Sequence, residues 1–276
     1  MTSRPDTRDT PHTQGSSGAP ALRLHGLGKD FGSLSAVKDV SFDVAPGARH
    51  AVIGPNGAGK STLFALVAGA LPATAGTVML HGDDVTKLSE HARARRGLVR
   101  TFQHSSLFLS ATARENILIA VQRRHGVQGQ PWRAVTRRRA LLAEADEVLE
   151  QLMLQDRSGA TAGSLSHGER RQLEVAVALA TRPSVLLLDE PAAGMSPADT
   201  MAFQELVLGL PAEVTVLLVE HDLDLVFGVA DRVTVLHLGE HLLTGDPDEV
   251  RASDAVQHAY LGAEDTSELF LEDGPG

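Results

Sequence analysis

Residues 51–62 read Ala-Val-Ile-Gly-Pro-Asn-Gly-Ala-Gly-Lys-Ser-Thr, and the spacing Gly54-x-x-x-x-Gly59-Lys60-Ser61 is that of a phosphate-cradling loop. Gly54, Gly57 and Gly59 let the backbone curl with its N–H groups pointing inward, and the helix that follows adds its positive end. Pro55, Asn56, Ala58 and Thr62 complete the segment. Lys60 supplies a point charge at the β- and γ-phosphates, and the Ser61 hydroxyl is placed to ligate Mg²⁺. A second constellation is Val185-Leu-Leu-Leu-Asp189-Glu190, an apolar run that ends in acids. In a buried strand both carboxylates emerge at the carboxyl end, where nucleotides bind in open α/β sheets. Asp189 can hold Mg²⁺ there, and Glu190 can polarise an attacking water. The chemistry these residues specify is hydrolysis of a nucleoside triphosphate.

The elements that must position them follow from periodicity. Ala51 to Ile53 is a buried strand, and Leu63, Leu66, Val67 and Ala70 repeat as one face of the helix after the loop. Leu22 to His50 alternates like strands, with a turn at Ala45-Pro46-Gly47, and Thr77 to His81 is another short strand. These pieces predict a small antiparallel sheet packed on the nucleotide-binding core. A helical stretch runs from about Gln122 to Gln155, interrupted by Gly126 to Pro131, with Leu141, Ala145, Val148, Leu149 and Leu152 on one face. Leu165-Ser166-His167-Gly168-Glu169 opens a further helix with a capping box, Ser166 as N-cap and Glu169 at N3. Buried strands at Val185 to Leu188 and Thr215 to Val219 flank a helix near Met201 to Leu208, which implies a parallel sheet covered on both faces. A β-type stretch from Arg232 to Leu243 turns at Gly239-Glu240, and a last helix runs from Pro247 to about Tyr260. The fold class is therefore α/β: a mostly parallel core sheet, an N-terminal antiparallel β subdomain and an inserted α-helical subdomain.

Composition narrows the class further. The chain has 276 residues, 42% of them hydrophobic, enough for a proper core. No apolar run approaches the ~18 residues needed to span a bilayer. Residues 1–20 lack the apolar segment of a signal peptide and read as a disordered leader. The absence of cysteine excludes disulfides and thiolate zinc sites. A net charge of −10 argues against general nucleic-acid binding. Part of that charge sits in residues 263–276, read as an acidic flexible tail. Arg123, Arg124, Arg133, Arg137, Arg138 and Arg139 collect the opposite sign, as a lipid- or membrane-partner-facing patch or a solvated helix face. His237 and His241 have a metal-like spacing but flank a turn, which makes them surface residues.

Together the P-loop, Gln103, Leu165 to Glu169, the strand ending at Glu190, and His221 resemble an ABC-transporter ATPase subunit over roughly residues 21–262. Leu165, Ser166 and Gly168 match that family's signature, whereas His167 and Glu169 depart from it. The resemblance implies ATP and Mg²⁺ as ligands and a helical subdomain at about residues 104–180. It implies a head-to-tail dimer in which each ATP meets one subunit's P-loop and the other subunit's signature segment. It places Phe31 on the adenine and makes Gln103 the glutamine that senses Mg²⁺ and the water and touches the membrane subunit. His221, after Leu218-Val-Glu220, corresponds to the switch histidine at the γ-phosphate. Ser196 stands where the family usually has aspartate.

Leu188 to Pro197, Val219 to Phe227, the segment around Gln122 to Arg139 and the ending Ala259-Tyr-Leu-Gly262 resemble the ATPases of branched-chain amino acid importers. Urea and short-chain amide importers belong to the same branch, with the lipopolysaccharide-export ATPase more distant. Such importers use two different ATPases, two permeases and a substrate-binding protein, and this chain resembles the longer ATPase. The resemblance puts the protein on the cytoplasmic face of the membrane, as a peripheral subunit. The alternatives are a homodimeric ATPase of lipid export and a non-transport ABC ATPase.

Overall fold

The computed structural model describes residues 19–101, 107–127 and 135–261. The leader up to residue 18, Gln103, Arg133 and the tail lie outside the described residues. The chain begins with β1 (Leu22–Phe31), β2 (Leu34–Val44), β3 (Arg49–Ile53), α1 (Lys60–Ala68), β4 (Ala75–Leu80), the short β5 (Asp83–Asp84), α2 (Glu90–Ala94) and β6 (Leu98–Arg100). It continues through α3 (Ala113–Arg124), α4 (Val135–Gln151), α5 (His167–Leu179), β7 (Val185–Asp189), α6 (Pro197–Leu208), β8 (Thr215–Val219) and α7 (Leu223–Val229). The last elements are β9 (Arg232–His237), β10 (Glu240–Gly245), α8 (Pro247–Arg251) and α9 (Asp254–Leu261).

The strands form a four-stranded antiparallel sheet, β2-β1-β4-β5, and a six-stranded sheet, β10-β9-β3-β8-β7-β6. Every neighbouring pair of the larger sheet is parallel except the β9–β10 hairpin. Every residue of β7 and β8 is buried, so these strands show no polar alternation, as expected when both faces are covered. One face packs Val52, Leu187 and Leu217 against Leu22, Val40 and Phe64 from the antiparallel sheet and α1. The other packs Leu188, Leu218 and Val235 against Ile117, Leu149, Leu173 and Phe203 from the helices. The expected α/β architecture with an antiparallel β subdomain and an inserted helical layer is what forms.

Four boundaries differ from the expectation, each for a local reason. The P-loop helix stops at Gly69, a left-handed C-cap at φ 81°, so Ala70 is exposed and Phe64 takes the buried position. The helical stretch begins at Ala113, not near Gln122, because Thr112 and Glu115 build a capping box there, and α4 ends at Gln151 just before Met153 at φ 56°. The last hairpin turns at Leu238-Gly239 (φ 51° and 84°), one residue earlier than expected, because the type I′ turn needs positive φ at both central residues. The final helix is two helices, α8 and α9, parted at Ala252-Ser253.

His50 lies inside the sheet, with its ring stacked on Phe42 at 5.1 Å between centroids and Nε2 2.7 Å from the Thr234 hydroxyl. Burial, helped by Arg232 and His241, lowers its pKa to about 3 from the ordinary 6.5. The unfolded chain therefore takes up a proton between those two pH values that the folded chain refuses, and stability falls as pH drops below 6.5. Between pH 7 and pH 5 this group alone removes about 2 kcal/mol. Urea unfolding at both pH values should show that difference in the native protein and lack it in His50→Gln.

Candidate active site

The P-loop is built where β3 stops. Gly54 has φ 151° and Gly59 has φ 95°, and both are closed in by backbone. A Cβ on Gly54 would lie 2.2 Å from the Leu236 carbonyl oxygen, and one on Gly59 would lie 2.4 Å from that of Ala36. Neither position accepts a side chain. Gly57, at φ 80°, faces open space, and Asn56 is exposed beside it, as a loop that receives a ligand requires. The β9–β10 hairpin braces the loop from behind: the Gly239 N–H donates to the Ala58 carbonyl at 3.1 Å, and the Lys38 N–H donates to Gly239 at 2.7 Å. Tyr260, buried on α9, hydrogen-bonds to the Gly54 backbone, and burial pushes its phenol pKa up. The Lys60 ammonium donates to the carbonyls of Gly54 (2.5 Å) and Pro55 (3.1 Å). Burial lowers its pKa, while the charges of Glu190 and Glu220 oppose that shift.

β8 lies between β3 and β7, so three loops leave the same carboxyl edge: the P-loop, Asp189-Glu190 and Glu220-His221. Asp189 is buried. One of its oxygens pairs with the Arg100 guanidinium of β6, and the other, Oδ1, has no hydrogen-bond partner among the described residues. A buried carboxylate oxygen left over at a phosphate site fits a Mg²⁺ ion or its bound water. The exposed Ser61 is the second oxygen donor among the described residues predicted to hold it. Glu190 follows with φ 44°, a left-handed conformation rare outside glycine, while its N–H donates to the Val219 carbonyl at 2.9 Å. Such backbone strain collects at functional sites. The His221 side chain is 62% exposed, with Nδ1 3.3 Å from the buried Glu220 carboxylate.

The signature segment forms its capping box as expected: Ser166 Oγ accepts the Glu169 N–H at 3.1 Å, and Glu169 accepts the Ser166 N–H at 2.8 Å. The Ser166 N–H and then the Arg157 guanidinium, 2.6 Å away, hold the Glu169 carboxyl below the usual carboxylate range. His167 Nε2 reaches the Ala193 carbonyl at 3.1 Å, and a Cβ on Gly168 would strike the Asp199 carboxylate at 2.7 Å. The helix start thus sits on the loop that follows Glu190. Ser196 caps α6 by accepting the Asp199 N–H at 3.3 Å, so serine performs the local capping task as well as aspartate would. Phe31 is 48% exposed at the β1–β2 hairpin, with the Lys29 ammonium 5.1 Å from its ring centroid.

One expectation about charged surface residues changes. Arg124 is not free: it pairs with Glu144 of α4 and donates to the Ala180 carbonyl at 2.7 Å, tying α3 to α4 and α5. Arg123 reaches His91 at 3.2 Å, and Arg139 remains exposed. His241 binds Thr244 at 2.8 Å, and no group of three metal-ligating side chains occurs among the described residues. Sequence reasoning missed Arg100, Glu220 and the bracing by Gly239 and Tyr260. None has a local signature, although Glu220 and Tyr260 stood in segments singled out by resemblance.

The profile of the ABC transporter family matches residues 37–193. The chain is 40% identical over 252 residues to the high-affinity branched-chain amino acid transport ATP-binding protein BraF of Pseudomonas aeruginosa, covering 88% of this chain and 98% of BraF. It is 38% identical over 250 residues to LivG of Escherichia coli K12, described in the same words, with the same coverage. The solved ADP conformation of MJ1267, an ATP-binding cassette of an ABC transporter, superimposes with a TM-score of 0.77 at 31% identity, over 88% of this chain and 99% of that one. The chain belongs to the ABC transporter family, as one of its ATP-binding, ATP-hydrolysing subunits.

Proposed function

We propose that this ATPase energises an importer for branched-chain amino acids or related amino acids and amides. The observation that carries the substrate class is 38–40% identity across 98% of the length of BraF and LivG. ATP binds with its phosphates in the loop from Gly54 to Thr62 and its adenine against Phe31. Lys60 meets the β- and γ-phosphates. Ser61, Asp189 and Gln103 would hold Mg²⁺, which would neutralise developing charge on the phosphates. Glu190 takes the proton of the attacking water, and His221 contacts the γ-phosphate. Leu165 to Glu169 of a second ATPase subunit completes the site, because a capped helix start with free N–H groups suits a phosphate presented from across a dimer. Closure around ATP drives the permeases, and hydrolysis reopens the dimer. No described helix is long and apolar enough to cross a membrane. The likeness to transporter ATP-binding subunits supports work from the cytoplasmic face, with attachment through permeases and indirect service by a substrate-binding protein.

Purification of tagged Glu190→Gln protein from membranes in ATP tests this reading. A second, different ATPase with two permeases is the expected result. A homodimer with an export-type membrane pair would replace import by lipid export. Soluble partners alone would remove transport.

A further inference from the structure

Glu220 is the first residue beyond β8, and its side chain is fully buried. Both of its oxygens are engaged. Oε1 accepts the Ala192 N–H at 2.8 Å, and Oε2 accepts the N–H groups of His221 at 2.8 Å and Asp222 at 3.3 Å. Ala192 lies just beyond Glu190, so one carboxylate joins two loops that run off neighbouring parallel strands and leave in different helices, α6 and α7. A buried carboxylate is costly unless donors replace its water, and here backbone donors do so. Bonds of this charge-assisted kind are stronger than neutral ones.

The position of the bridge matters because of what it flanks. Glu190 is held at φ 44°, a conformation that a residue with a Cβ keeps only when its surroundings enforce it. Its own N–H is fixed upstream by Val219, and the chain just downstream is fixed at Ala192 by Glu220. His221 is anchored through its backbone to the same carboxylate. Neither β7 nor β8 alone sets the spacing between the ends of these loops.

We infer that Glu220 is a positioning residue for ATP hydrolysis, its buried carboxylate fixing the Glu190 loop and the His221 loop as one unit. The inference rests on the proposed roles of Glu190 and His221, and it adds the element that keeps them in register. Removing the bridge leaves the P-loop intact, since that loop is braced by Ala36, Leu236, Gly239 and Tyr260 instead. Binding and turnover should therefore separate.

Glu220→Gln in the full-length chain is the test, because it keeps the side chain's shape and one acceptor but turns an amide donor toward a backbone N–H. Hydrogen exchange in segments 191–195 and 220–223 should accelerate about tenfold, with P-loop exchange unchanged. ATP turnover should fall about a hundredfold, the loss that a displacement near 1 Å produces, while nucleotide affinity stays within about threefold. In a Glu190→Gln background the second substitution should lower the residual rate by less than about threefold, because both act on one step. Should Glu220→Gln fail to fold, Glu220→Asp keeps the charge on a shorter arm that reaches one loop, so exchange should rise in the other alone. Unchanged exchange in both loops, or affinity falling in step with turnover, overturns the inference. Wild-type turnover in Glu190→Gln or His221→Ala would instead overturn the catalytic reading beneath it, and those variants are measured alongside.

Discussion

Glu190→Gln is expected to lower ATP turnover about a thousandfold, within the range ascribed to a positioned general base. Gln keeps the volume and hydrogen-bonding reach of Glu but cannot take a proton from water. Glu190 bears on Lys60 through its charge, which opposes the lowering of the Lys60 pKa by burial, and Lys60 stays a cation without it. The proposed phosphate seat is the P-loop backbone and Lys60, and Glu190 follows β7, which β8 separates from the P-loop strand β3. Nucleotide affinity should therefore hold within about threefold, and the variant should accumulate as an ATP-bound closed dimer. Phosphate release and gel filtration in Mg²⁺-ATP read the two effects separately. Wild-type release would exclude Glu190 as the base. Weakened binding in proportion to the lost rate would show that the substitution disturbs the P-loop.

The second large effect is on stability and lies away from the reaction. Arg93, on α2, is 1% exposed, yet it carries a guanidinium. That group donates to the carbonyls of Leu66 at 2.7 Å, Val67 at 2.6 Å, Thr86 at 2.8 Å and Leu88 at 3.1 Å. Leu66 and Val67 belong to the last turn of α1, which carries the negative end of the helix dipole, and the Leu66 carbonyl also accepts the Gly69 N–H at 3.2 Å. Burial lowers the Arg93 pKa and the charge of Asp84 opposes that, but an arginine stays ionised in proteins, and here each of its three nitrogens meets a carbonyl oxygen. Arg93→Met fills similar space and takes the guanidinium donors away from all four carbonyls, of which Leu66 keeps the Gly69 N–H. The cost should be about 4 kcal/mol, seen as a fall of about 10 °C in melting temperature. A loss below about 1 kcal/mol in urea unfolding would mean the carbonyls find other partners. Because α1 presents Lys60 and Ser61 at its other end, ATP should restore part of the lost melting temperature by mass action.

The parts proposed to act in catalysis were legible in the sequence to the extent that each is a local pattern. The P-loop needs strand, glycine turn and helix in that order. The Asp189-Glu190 pair needs an apolar run before it, and the Ser166–Glu169 box needs a fixed spacing. The helix at Ala113 had the same kind of mark, Thr112-x-x-Glu115, and that cue would have placed its start correctly. Glu220 and Arg93 were different. A glutamate ahead of a histidine, or an arginine within Glu90 to Ala94, reads as solvated surface. Their meaning depends on backbone groups of other elements: Ala192 for one, and Leu66 and Val67 for the other. No periodicity records such partners. The break between α8 and α9 escaped for a simpler reason, since apolar spacing continues across Ala252-Ser253 while the backbone does not.

The bracing of the P-loop bears on the order in which a growing chain becomes competent. The loop lies in the first quarter of the sequence, but what closes around it arrives late: Leu236 and Gly239 from the last hairpin, Tyr260 from the last helix. During synthesis the glycines would be translated long before the surfaces that fix their dihedral angles. The N-terminal sheet and α1 can collapse early around Phe64 and Val40, while β3 waits for β8 and β9 to pair on either side. Contacts this distant in sequence are slow to close. A nascent subunit is therefore expected to gain its grip on ATP only after the last hairpin and α9 have docked, and a chain cut before β9 should bind nucleotide weakly.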